Sequence, residues 1–109
     1  MKDKYLILIL KLIKKTEEGR LVWHKTDNTD EYQSSAGVYV FIVRSTREGL
    51  KNRLYGLYFK NSEMESSIVV SQKDGTDYNI IRQLYFSAKE SSPETAIYFK
   101  KIMEELDRL

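Results

Sequence analysis

The chain contains no cysteine, so disulfides, thiolate nucleophiles and cysteine-ligated metal sites are excluded. It has a single histidine, His24, which excludes a zinc site built from several histidines of one chain. Its five glycines are scattered, so the sequence lacks a glycine-rich loop of the kind that cradles phosphates. These absences argue against catalysis. We expect a protein that is not an enzyme, with no catalytic residue, no metal and no cofactor.

Long apolar runs and a strong net charge are also missing. The apolar run at residues 5–10 is soon interrupted by Lys11 and Lys14, and it is too short to span a bilayer. It lacks the small-residue cleavage site of a secretory signal, so we expect a cytoplasmic protein with no membrane partner. The formal net charge of +2 is too small to indicate nucleic acid as the partner.

The central stretch, residues 38–60, has the clearest pattern in the chain. Two segments alternate their side chains and are rich in β-branched and aromatic residues, which predicts two strands. Residues 46–52 lie between them and include Gly49 and Asn52, which tolerate a positive φ. The sequence therefore predicts a β-hairpin whose loop is longer than the tightest type.

An apolar helix is predicted at the start of the chain. Leu6, Ile9, Leu10 and Ile13 have helical spacing, and Gly19 stands where a helix C-terminus is expected. A strand is the alternative, because residues 5–10 are apolar on every side. If the segment is a helix, apolar residues surround it, which predicts that it is buried on more than one face and that a second chain covers part of it. We therefore expect a homo-oligomer.

The remaining elements complete one domain, residues 1–109. Residues 20–26 are expected to be extended, residues 27–35 to be a loop that flanks a short strand at 31–33, and residues 67–71 to be a third clear strand. Thr76 or Asp77 is the predicted cap of a second helix. Ser92 and Pro93 begin a third, with Phe99, Ile102, Met103 and Leu106 as its stripe. The predicted fold is α+β: an antiparallel sheet of about three to four strands, with an N-terminal helix and two C-terminal helices packed on it.

A candidate binding site lies on the hairpin, where basic and aromatic residues are concentrated. Arg53 and Tyr55 alternate onto one face of their strand, and Arg44 on the neighbouring strand could join them. Arginine forks bind phosphates, and aromatic rings stack on bases. With Trp23 as a further stacking residue, this pattern predicts a site between subunits for a small anionic ligand, such as a signalling nucleotide. The predicted ligand-binding residues are Arg44, Arg53, Tyr55 and Trp23.

Each of these residues has a structural alternative. The basic hairpin is also explained as a solvated sheet face, and Trp23 as a core residue between helix and sheet. Histidine is a common general base, but the sequence places no nucleophile beside His24. Gly56 in mid-strand indicates either a bulge, which we favour, or a close approach by another group. The alternative function is a protein-interaction module that docks through its tyrosine-rich sheet or its apolar first helix.

One segment carries a resemblance. Residues 15–26 read Lys-Thr-x-x-Gly-x-x-x-Trp-x-x-Thr and are followed by Glu31 and Tyr32. This resembles a group of small bacterial and phage proteins in which a helix ending in this pattern leads into an antiparallel sheet and a helical C-terminus. In size, one-domain build and basic-aromatic content the chain is also similar to phage proteins that counter bacterial defence by sequestering a nucleotide signal. The second resemblance implies a protein that binds a nucleotide and catalyses no reaction.

Overall fold

A computed structural model describes residues 1–109 as an α+β fold with one five-stranded antiparallel sheet. The strands lie in chain order across the sheet, from β1 to β5. The elements are α1 (Asp3–Glu17), β1 (His24–Lys25), β2 (Glu31–Ala36), β3 (Tyr39–Glu48), β4 (Asn52–Lys60), β5 (Glu65–Val70), a 3₁₀ turn (Gln72–Asp74), α2 (Thr76–Ser91) and α3 (Pro93–Asp107). The α+β class and the antiparallel sheet are confirmed. The expected three to four strands become five, because the segment predicted as mostly loop forms β2, and β1 pairs with it.

The β3–β4 hairpin at the centre of the sheet is longer than predicted. Its strands continue into the expected loop until Glu48 pairs with Asn52, which leaves a three-residue turn. Gly49 in this turn has φ +76, a conformation that costs glycine little and other residues more. The predicted start of α2 also changes, since the helix begins at Thr76 and its N-cap position is Gly75 rather than Thr76 or Asp77.

The core lies on one face of the sheet, where α1 and α2 cover it. Val43 and Leu57 from the central strands are fully buried there, together with Ile9 of α1 and Ile81 of α2. The alternate residues of the strands point the other way, and no helix covers them. We call this uncovered side the open face; its residues on the three strands β3, β4 and β5 include Val40, Ile42, Arg44, Leu54, Tyr58 and Val69.

Helix α1 is buried on one face, not on several. Ile9, Leu12, Ile13 and Thr16 are its buried residues, whereas Ile7 and Leu10 on the outer side are half-exposed. The expectation of burial on more than one face is therefore wrong within the single chain, because α2 and the sheet cover only one side. No helix of the fold has both the length and the apolar character that a membrane crossing requires.

The segment after α1 explains most of the residues in the Lys-Thr-x-x-Gly-x-x-x-Trp-x-x-Thr pattern. Gly19 has φ +74, and backbone bonds from Gly19 to Thr16 and from Arg20 to Lys15 close the helix as a Schellman motif. The chain then turns back, so that Trp23 is fully buried and its Nε1 donates a hydrogen bond of 2.8 Å to Thr16 Oγ1. Three residues of the pattern therefore build this corner of the core.

Helix α3 does not pack on the sheet as predicted. It begins as expected, with Ser92 as the N-cap and Pro93 in the first turn, but none of its residues is buried. Its apolar stripe points into solvent: Tyr98, Phe99, Met103 and Leu106 are each 57% to 63% exposed. The helix leaves the domain at a fully buried corner made by Ser92, where Thr95 Oγ1 donates to the carbonyl of Lys89.

Candidate functional site

The four residues that the sequence assigned to one site lie in different places. Arg53 and Tyr55 share the helix-covered face of the sheet, as their alternation predicts. Arg44 is paired with Gly56 and points to the open face, so the expectation that it joins Arg53 and Tyr55 is wrong. The reason is the odd length of the turn: a three-residue turn puts even-numbered residues of both strands on one face and odd-numbered residues on the other.

Tyr55 and Trp23 are core residues. Tyr55 is 4% exposed and its ring lies 5.4 Å from the rings of Tyr78 and Tyr85. Trp23 has no exposed surface, and its only polar atom is bonded to Thr16, which fits the alternative interpretation of Trp23 as a core plug. Neither side chain is free to stack on a ligand. Much of the high tyrosine content is therefore explained by packing between α2 and the sheet.

Arg53 is already engaged by side chains of the protein. Its Nη1 donates to Ser45 Oγ at 2.9 Å and lies 3.4 Å from the carboxylate of Asp30. Asp30 has φ +52, which is uncommon for a residue other than glycine and aims its carboxylate at this end of the sheet. Arg47 and Thr46 line a shallow polar hollow beside the pair. Because Asp30 offsets the charge of Arg53, this hollow is weakly basic.

Arg44 is oriented differently and keeps part of its binding capacity. Its Nε donates to Glu31 Oε2 at 2.6 Å, and its guanidinium carbon lies 4.9 Å from the centre of the Tyr58 ring. The two terminal nitrogens of Arg44 have no hydrogen-bond partner within the chain. A guanidinium fixed through Nε and stacked on a ring presents its remaining donors in a defined plane, which suits a phosphate or carboxylate.

Glu31 is the residue that holds Arg44 in place. It is 3% exposed, and its Oε1 accepts hydrogen bonds from Thr26 Oγ1 at 2.9 Å and Asn28 Nδ2 at 3.1 Å. Burial raises the pKa of Glu31, but the hydrogen bonds from Asn28, Thr26 and Arg44 outweigh it and hold this pKa below the ordinary 4.5. Thr26 is the last residue of the Lys-Thr-x-x-Gly-x-x-x-Trp-x-x-Thr pattern, which thus extends from the core to Arg44.

Gly56 allows Tyr58 to lie against the sheet. The pairing of Gly56 with Arg44 on one side and Val69 on the other is uninterrupted, so the bulge that we favoured is absent. The alternative, a close approach by another group, is what the structure contains. A Cβ on residue 56 would stand 2.8 Å from Cε2 of Tyr58, closer than real Cβ atoms come to other heavy atoms. Glycine therefore makes room for the ring beside Arg44.

A groove of about 390 Å³ runs beside this pair on the open face. This volume is within the range of small-molecule sites. Lys60 and Glu65 face each other across the β4–β5 pair at one end of the groove, and Arg44 is at the other. The lining residues are Ile42, Arg44, Tyr58, Phe59, Lys60, Glu65, Ser66 and Ser67. The lining carries two cationic groups, Arg44 and Lys60, and one carboxylate, Glu65. With the Glu31 carboxylate that is bonded to Arg44, the charges at this site balance.

Sequence reasoning missed the two partners of Arg44. Tyr58 alternates onto the same face of its strand as Gly56, and an odd-length turn would have placed Arg44 on that face. Glu31 was expected at the start of a short strand, residues 31–33, but the sequence did not predict which strand it would pair with. Its carboxylate is brought next to Arg44 only by the β2–β3 pairing, in which Glu31 lies directly opposite Arg44.

Two other candidates have no arrangement that indicates chemistry. His24 Nδ1 lies 3.4 Å from the carboxylate of Glu94 on an exposed surface, where it links β1 to the first turn of α3. The chain has no group of three or more His, Cys, Asp or Glu residues that could hold a metal ion. Comparison with protein-family models, with curated proteins and with solved structures gave no match for this chain.

Proposed function

We propose that this chain is a non-enzymatic binding protein whose groove on the open face takes up a small anionic ligand of the nucleotide class. The observation that carries the proposal is the state of Arg44: fixed through Nε by Glu31, stacked on Tyr58, and with both terminal nitrogens unpaired. A phosphate would accept from those nitrogens, and a base would stack on the exposed side of the Arg44–Tyr58 pair.

Lys60 adds a second cation on the same face, two residues beyond Tyr58 on β4. Lys60 lies at the other end of the groove from Arg44, so it suits a second anionic group of the ligand, such as a second phosphate. Binding of this kind needs affinity and no reaction, so we propose sequestration of a nucleotide signal as the role, as in the phage anti-defence proteins that the chain resembles. Arg53, Tyr55 and Trp23 are not part of this revised site.

The test is a thermal-shift screen with mono-, di- and cyclic nucleotides. A ligand that binds only the folded chain raises the melting temperature by mass action, by an amount equivalent to about 2.7 kcal/mol at 100 times its Kd. We expect a shift that Tyr58→Leu strongly reduces, because the stacking surface is lost while Glu31 and Arg44 remain paired. Arg44→Lys should also reduce it, since lysine lacks the planar fork.

Arg53→Ala is the matched control, because it removes an arginine of the same strand pair from the opposite face. It should leave the shift unchanged. No shift with any nucleotide at about 1 mM, where even a Kd of 10 μM would give a clear effect, would contradict the proposal. A shift that Arg53→Ala abolishes and Tyr58→Leu retains would place the ligand in the hollow beside Asp30 instead.

A second candidate function is protein interaction, and a specific observation favours it. The surfaces that the sequence suggested for docking are less open than expected: Tyr32 and Tyr55 of the sheet are buried, and α1 exposes only Ile7 and Leu10 among its larger apolar side chains. Helix α3 instead exposes a continuous apolar stripe. If the chain docks on a protein, we propose that α3 is the docking element.

A further inference from the structure

The apolar stripe of α3 has no cover in the single chain. Phe99, Ile102 and Leu106 follow the three-and-four spacing of a helix-pairing seam, and Tyr98 and Met103 border it. All five side chains are exposed, as is Leu109 just beyond the helix. Isolated apolar side chains on a surface are ordinary, but a contiguous stripe of this length marks an interaction site.

The first turn of α3 is attached to the end of α2 and to β1. The buried Ser92 Oγ accepts from the backbone nitrogen of Thr95 at 3.3 Å, and Thr95 Oγ1 donates to the carbonyl of Lys89 at 2.6 Å. These bonds join the end of α2 to the start of α3. The pair between His24 and Glu94 adds a contact to β1. Only this first turn of α3 is attached, and the stripe lies beyond it.

We propose that α3 pairs with α3 of a second copy of this chain. This goes beyond the ligand proposal and does not depend on it, and it assigns a partner to the protein-interaction candidate. A homo-dimer with a two-fold axis uses the same patch on both copies, so a single self-complementary stripe is sufficient.

The exposed area is adequate for such a pairing. Six half-exposed or fully exposed large side chains present on the order of 700 Å² per copy, since a single aromatic residue can bury about 150–250 Å². Specific interfaces typically bury about 800 Å² per partner. The seam alone thus provides most of what a stable but modest dimer needs.

Sedimentation velocity over about 1–100 μM chain tests the pairing, because interfaces near this size have dissociation constants of micromolar or below. We expect the mass to rise to twice the 12.9 kDa of one chain. Leu106→Glu should keep the protein monomeric across this range. Ile97→Glu is the matched control: Ile97 and Leu106 are 54% and 57% exposed, but their separation along α3 puts them on opposite sides of the helix.

Circular dichroism of each variant checks that the monomer remains folded. A wild-type chain that stays monomeric at about 100 μM, or a dimer that Leu106→Glu leaves intact, would overturn the proposal.

The nucleotide screen, repeated with Leu106→Glu, separates this inference from the ligand proposal. The groove beside Arg44 is on the sheet and α3 contributes no residue to it. A monomeric variant should therefore keep any nucleotide-dependent shift. Loss of association with the shift retained identifies pairing as independent of ligand binding, and failure of one proposal leaves the other measurable.

Discussion

Thr16 and Trp23 form the buried polar contact on which the corner after α1 depends. Thr16→Val keeps the size of the side chain but leaves the Trp23 Nε1 donor without its acceptor at 2.8 Å. An unpaired buried donor costs about 1–3 kcal/mol, so we expect the free energy of unfolding to fall by that amount in urea titrations. Thr16→Ser retains the hydroxyl and should lose clearly less. A smaller loss in Thr16→Val than in Thr16→Ser would mean that the methyl group matters more than the hydrogen bond, and would contradict this assignment.

Glu31 makes the stability of the chain depend on pH. Because its folded pKa is held below the ordinary 4.5, the ionised carboxylate stabilises the folded state above that pH, and this contribution is lost as the pH falls through the folded pKa. Glu31→Gln should lower the unfolding free energy at pH 7 by about 1–3 kcal/mol, the cost of weakening a charge-assisted bond. The difference between wild type and variant should shrink in urea titrations below pH 4.5. A difference that is constant from pH 7 to pH 3 would contradict this assignment.

Gly56 and Tyr58 should be energetically coupled. Gly56→Ala forces the Tyr58 ring away from the sheet, because the new Cβ would be 2.8 Å from the ring. We expect a loss of about 1 kcal/mol, offset in part by the better strand propensity of alanine. In a Tyr58→Ala background the clash is gone, and Gly56→Ala should become neutral or stabilising. A double-mutant cycle measured by urea unfolding gives the coupling energy between the two residues. A coupling energy of zero would contradict the prediction.

At the scale of the elements, the sequence predicted those features that neighbouring residues determine. It predicted strands β3 and β4 and the start of α3 at Ser92 and Pro93, because β-branched residues and helix caps act on the backbone next to them. Only the first half of strand β2, residues 31–33, was predicted, since Ser34 and Ser35 gain their strand conformation only from pairing with β3. The position of Arg44 relative to Arg53 depended on the number of residues in one turn, which strand propensity does not determine.

The buried residue Ser92, between α2 and α3, sets the direction in which α3 leaves the domain. Ser92→Ala removes the N-cap acceptor from a fully buried position, and such caps are worth about 0.5–2 kcal/mol. We expect faster hydrogen exchange at the first-turn amides of α3 and a lower unfolding free energy. Ser91→Ala, at the exposed neighbouring position, is the control and should change both much less. If the two variants behave alike, Ser92 does not act as a cap.

At the scale of the whole molecule, the sequence predicted amphipathic helices but not which apolar face would be left uncovered. The stripe of α3 has the same spacing as a core-facing stripe, so pattern alone assigned it to the sheet. The domain closes without it, because α1 and α2 already cover one face of the sheet. The open face and α3 are therefore the two surfaces left for binding, and they are separate in the fold.

The contrast between the closed domain and the uncovered helix α3 predicts how stability is distributed along the chain. Amides of β3, β4 and α2 should exchange with deuterium only through global unfolding, whereas α3 beyond its first turn should exchange by local opening, since it buries no side chain. Raising the chain concentration should selectively slow exchange in α3 if copies pair there. Leu106→Glu should remove that concentration dependence and leave the strands unaffected. Protection of α3 equal to that of β3 in dilute wild-type protein would mean that α3 packs on its own domain.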